Sequence, residues 1–175
     1  MRNWELDTRA ASLSDITSWC LREHGVDRML VALRLERYGN KWRYASAAAG
    51  ERVNLIFGQH IITGFQASEW PGTQLSSHPG FVYIIRFDEG VRDILLNAEP
   101  SLNKWLHNNS VPLPEDICLF KESDLHPTLI SVTHECRAWL ISDRTPPIQG
   151  IRPSKFRLDE LFPATQYFCR KYKRR

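Results

Sequence analysis

Two histidines, His126 and His134, with Glu135 and Cys136 directly after the second, form the densest titratable cluster in the chain. A metal-free hydrolase would use His134 as general base, oriented by a carboxylate, and His126 as general acid. Thr128 to Thr133 reads as a strand, however, and successive residues of a strand point to opposite faces. Glu135 is then badly set to hold the ring of its neighbour. The plainer reading is a hydrogen-bonded histidine at the end of a hairpin. His60, His78 and His107 are isolated near loops or helix ends, and a metal would need three or four converging ligands that their spacing does not supply. No GxxxxGK[ST], GxGxxG, HExxH or GxSxG pattern is present. The expectation is a protein without cofactor, metal or catalytic centre.

Charge offers a second chemistry, recognition. The formal net charge is +3, yet it is unevenly spread. Residues 88–124 carry eight acidic and three basic side chains. Seven of those acids, Asp88, Glu89, Asp93, Glu115, Asp116, Glu122 and Asp124, form a candidate docking surface for a basic partner. Complementary charge of this kind speeds encounter and fixes register. The same acids also suit helix N-termini and solvated loops, which is their bland reading. At the other extreme, Arg170-Lys-Tyr-Lys-Arg-Arg175 gives five cations in six residues, preceded by Tyr167 and Phe168. Residues 164–175 therefore make a candidate nucleic-acid contact, with cations for phosphate and rings for stacking. Cations at the end of a helix are the simpler explanation, since they complement its negative pole.

These residues need a scaffold. The most compact apolar run, Ile117 to Phe120, lacks polar alternation, which marks a central strand covered on both faces. Thr128 to Thr133 and Arg137 to Ile141 follow as further strands. Phe81 to Phe87 is another, rich in β-branched and aromatic residues. Residues 29–38 alternate apolar and polar, Gly39-Asn40 follows, and Lys41 to Ser46 resumes the pattern, so a two-residue hairpin is expected there. Helices are expected at Ser12 to His24, with Leu13, Ile16 and Cys20 on one stripe, and from Asp88, with Val91, Ile94, Leu95 and Ala98 on one face. Ser101 caps a short helix carrying Leu102, Trp105 and Leu106. Ala47 to Thr63 is ambiguous between helix and strand. Gln66 to Gly80 and Asp143 to Pro153 read as loop and linker, rich in Pro and Gly. Ser154 opens a helix that Pro163 ends.

The element order predicts an α+β fold: one domain over residues 1–163, a mostly antiparallel sheet flanked by helices, and a basic C-terminal segment over 164–175. Four cysteines without a close pair suggest free thiols in a reducing compartment. Acids near the N-terminus argue against a signal peptide, and no apolar run reaches the roughly 20 residues of a membrane span. The expected location is the cytoplasm, with no membrane partner.

Leu113-Pro-Glu-Asp-Ile-Cys-Leu-Phe120, Val132-Thr-His-Glu135 and Trp139-Leu-Ile141 give residues 81–142 a character that resembles small bacterial immunity proteins of polymorphic-toxin and contact-dependent growth inhibition systems. The resemblance implies a non-enzymatic cytoplasmic protein that binds one cognate toxin, often a basic nuclease, and blocks it. An acidic surface suits that role; the basic tail departs from it.

Overall fold

The computed structural model describes residues 1–44, 47–76, 78–107, 114–123 and 125–155. The expected helix after Ser154 and the basic segment 164–175 lie outside them, as does Asp124.

Fifteen elements follow one another: β1 (Arg2–Leu6), α1 (Leu13–His24), β2 (Arg28–Tyr38), β3 (Lys41–Tyr44), α2 (Ala47–Phe57), β4 (Ile61–Ala67), β5 (Glu69–Trp70), β6 (Thr73–Gln74), β7 (Gly80–Arg86), α3 (Glu89–Ala98), α4 (Leu102–His107), β8 (Asp116–Phe120), β9 (Pro127–Val132), β10 (Arg137–Ser142) and β11 (Ile151–Pro153). Eight strands lie side by side in the order β11-β1-β10-β9-β8-β2-β7-β4, while β3 pairs with the far part of β2. Every pairing is antiparallel. The fold is α+β, as the element order predicts.

Local chemistry explains the boundaries. The Ser12 side chain accepts from Asp15 N at the start of α1, and Gly25 ends it in the left-handed conformation with φ 58°. Asp88 does the same service for α3, accepting from Val91 N. Gly39, with φ 61°, makes the β2–β3 turn.

Strand alternation sorts the core into two layers. Met29, Val31, Leu33, Tyr83, Ile85, Ile117 and Leu119 face α1, α2, α3 and α4, packing with Leu13, Ile16, Val53, Phe57, Val91, Leu95 and Trp105. Their neighbours Leu30, Ala32, Val82, Ile84, Cys118 and Phe120 face the other way and pack with Trp70, Ile130, Trp139 and Ile141. All five residues of β8 are buried, which matches its expected central place.

Three expectations change. Gln66 to Gly80 is not one loop: β4 runs on to Ala67, and β5 and β6 form a small hairpin within it. That hairpin lies on the second face, where a Cβ on Gly72 would come within 2.7 Å of Ile130 Cγ2 and 2.8 Å of Val132 Cγ2. The ambiguous stretch resolves as α2 followed by β4. The linker after Asp143 ends in β11, which pairs with β1, a strand the N-terminal residues did not announce.

Candidate functional site

The seven expected docking acids divide. Arg28 pairs with Arg86 and with Phe120, so β2 begins where β7 and β8 end. Exposed Asp88 and Glu89 follow β7, and exposed Glu122 follows β8. Asp93 lies one turn along α3 from Glu89, is exposed and pairs with Arg92 at 2.7 Å. Asp27, which sequence reasoning overlooked, joins them: its Oδ1 accepts from Glu122 N at 2.8 Å, and Phe87 N donates to its carbonyl at 2.9 Å. Five carboxylates thus share one sheet end. Arg28, Arg86, Arg92 and Lys121 accompany them, and Arg28 is paired with Glu122. The sequence signal for Asp27 was its place directly before a strand.

Glu115 and Asp116 sit at the opposite end of β8, about 13 Å away at ~3.3 Å per residue. Glu115 is half-buried; burial raises its pKa, while the hydrogen bond and charge of Arg34, 2.8 Å away, partly oppose that rise. Asp116 is buried and is no surface group. Its Oδ2 accepts from Trp70 Nε1 at 2.7 Å and Thr73 Oγ1 at 2.8 Å, and its Oδ1 accepts from Thr133 N at 2.7 Å. Both hairpin donors come from the small β5–β6 element, so this carboxylate fastens that element to the sheet. As a charged residue at the first position of β8, just before its apolar run, it read as a solvated strand end, which is why its burial went unread.

The histidine pairing does not form. His126 precedes β9 and His134 follows it, so the length of the strand, roughly 20 Å, separates them. His134 and Glu135 occupy a 3-10 turn rather than a strand; both are exposed, 4.0 Å apart. Cys136 closes that turn at φ 54°, a conformation non-glycine residues seldom take. Among the described residues, no three His, Cys, Asp or Glu side chains gather to hold a metal ion. Cys20 and Cys118 are buried and in no disulfide, and burial pushes the Cys20 thiol pKa up.

A second constellation, absent from the sequence reading, lies where β11, β1 and β10 meet. Glu5 stands opposite Arg152 on one side and Trp139 on the other. Arg137 donates Nε and Nη2 to Glu5 Oε1 at 3.1 and 2.8 Å. Arg152 Nε donates to Oε2 at 3.1 Å, and its Nη2 lies 3.0 Å from the same oxygen. Burial alone would raise the Glu5 pKa; the hydrogen bonds and charges of the two guanidiniums reverse that and hold it low. Arg137 also rests over the Trp139 ring, 4.9 Å from its centre. Glu5, Arg137 and Arg152 line a cleft of about 470 Å³ together with Leu6, Asp7, Thr8, Cys136, Gly150 and Ile151. Contacts spanning more than 130 residues of sequence are invisible to local patterning.

Comparison of the chain with protein-family models, curated proteins and solved structures finds no match.

Proposed function

We propose that the protein is a non-catalytic binding protein of the immunity or inhibitor type, which docks a basic protein partner through the sheet end where β2 starts and β7 and β8 finish. One observation carries this reading: Asp27, Asp88, Glu89, Asp93 and Glu122 emerge together there and all five reach solvent. Asp27 and Asp88 accept backbone hydrogen bonds from Glu122 N and Val91 N, so little ordering entropy opposes their use in docking. Asp116 is left out of the surface because it is buried and fully engaged, and Glu115 because it lies at the far end with Arg34. A toxin of the nuclease class presents the complementary charge, since such enzymes bind phosphates with Lys and Arg.

The four cations at the same end set the scale. They make the local field mixed rather than uniformly negative, so wild-type steering is modest, and reversing three of the acids turns it into repulsion of a basic partner. The test is recovery of the partner from host extract by the wild-type protein and by Glu89→Lys/Asp93→Lys/Glu122→Lys, followed by association kinetics with the purified partner. Loss of recovery, with circular dichroism unchanged, supports the reading. Equal recovery and equal kinetics would remove this sheet end as the interface.

A further inference from the structure

The cleft over β11, β1 and β10 is independent of that docking surface and has a chemistry of its own. Arg152 is 73% exposed, yet it is not a loose surface cation. Glu5 holds it side-on through Nε and Nη2, both on Oε2. A guanidinium carries five N–H donors in a planar fork, so side-on engagement leaves the Nη1–Nη2 edge for another carboxylate. Among the described residues, the Arg152 bonds all go to Glu5 Oε2 and none uses that outer edge. The head group is therefore fixed in direction before any ligand arrives, which reduces the rotamer cost of using it.

Asp7 supplies the opposite charge on the same wall. It is the first residue after β1, two positions beyond Glu5, and lines the same cleft as Arg152. Its Oδ1 accepts from Arg9 N at 3.0 Å, and its backbone N donates to the carbonyl of Gly150, the residue before β11, at 2.6 Å. Its other oxygen faces no described donor. Leu6, Ile151 and Cys136 also line the cleft. The volume lies within the range of small-molecule sites.

We propose that this cleft binds a small zwitterion, a molecule carrying both a carboxylate and a primary ammonium group, as a free amino acid or a short peptide does. Arg152 takes the carboxylate end-on and Asp7 takes the ammonium, with Glu5 acting as a positioning residue for Arg152.

Cys136 provides the readout. Of the described cysteines it is the exposed one, while Cys20 and Cys118 are buried. In a Cys169→Ser background, a thiol reagent then reports occupancy of the cleft. Calorimetric titrations with L-alanyl-L-alanine, L-alanine, acetate and ethylammonium are run beside the rate of Cys136 modification. The expected result is saturable binding of at least one zwitterion, slower Cys136 modification on saturation, and weaker binding of acetate and ethylammonium. Whether the dipeptide or the free amino acid binds better identifies the source. Arg152→Ala should weaken zwitterion binding at least about tenfold, and Arg152→Lys should fall between, because an ammonium cannot engage a carboxylate at two points. Arg152 is exposed, so neither change endangers the fold. No saturable binding by any probe would overturn the proposal. So would equal binding by Arg152→Ala, unprotected Cys136 at saturation, or acetate binding as well as the zwitterions.

Discussion

Replacing Asp116 with alanine should destabilise the protein by roughly 3 kcal/mol, and the value follows from its surroundings. The carboxylate is 3% exposed and accepts from Trp70 Nε1, Thr73 Oγ1 and Thr133 N. Each buried donor left without an acceptor costs about 1–3 kcal/mol. Trp70 and Thr73 are buried at 1% and 4% exposure, whereas Thr133 is half-buried and regains part of its bond from water. Three such losses, offset by relief from holding a charge out of water, leave roughly 3 kcal/mol. Asparagine keeps the shape but places an amide NH2 against at least one donor, so Asp116→Asn should still cost about 2 kcal/mol. Urea unfolding followed by circular dichroism measures both. With an m-value of about 2 kcal/mol/M, the midpoint of Asp116→Ala should fall by about 1.5 M. A fall in m as well would mean that the β5–β6 hairpin has come off the native sheet. A midpoint within 0.2 M of wild type, taken as about 0.4 kcal/mol at the same slope, would refute the claim that this carboxylate fastens the hairpin.

Three further outcomes are expected. Gly72→Ala should cost about 2 kcal/mol or more in urea unfolding, because its φ of 84° opposes a side chain and a Cβ would sit 2.7 Å from Ile130 Cγ2. Glu5→Gln should lose about 1–2 kcal/mol at pH 7, because Glu5 is held ionised between Arg137 and Arg152. The Glu5 pKa is lowered on folding, so its contribution is present above pH 4.5 and disappears as pH falls through the native value; wild type and Glu5→Gln should therefore converge in acid. His24 packs against Trp19 at 4.3 Å between ring centres, and burial lowers its pKa below 6.5. The native state then binds fewer protons than the unfolded chain, so stability should drop as pH falls below 6.5, and His24→Gln should flatten that slope in pH-dependent melting curves.

Elements defined by their own sequence were legible before the structure. Ser12, Asp15 and Gly25 mark both ends of α1 by local hydrogen bonds, and Gly39 marks the β2–β3 turn by its positive φ. The apolar run of β8 declared a strand covered on both faces. What escaped depends on distant partners. Arg2 to Leu6 and Ile151 to Pro153 become strands because β10 and β1 offer them backbone partners, and neither stretch carries a strong pattern of its own. The β5–β6 hairpin, with two residues on each side, exists because Asp116 and the second sheet face hold Trp70 and Thr73. The candidate sites divide in the same way. Asp88, Glu89 and Glu122 follow strand ends that the sequence marks, although that β7 and β8 finish at the same end follows only from their shared antiparallel pairing with β2. The ladder Arg152–Glu5–Arg137 joins the two ends of the chain, and only the strand order brings it together.

The central claim is that function resides at the sheet end bearing Asp27, Asp88, Glu89, Asp93 and Glu122. The association rate of the co-purified partner, measured against ionic strength for wild type and for Glu89→Lys/Asp93→Lys/Glu122→Lys, tests it most directly. The account predicts a rate for the reversed protein about tenfold slower at low salt, with the gap narrowing as salt screens the charges. Identical rates for the two proteins at every salt concentration would contradict it.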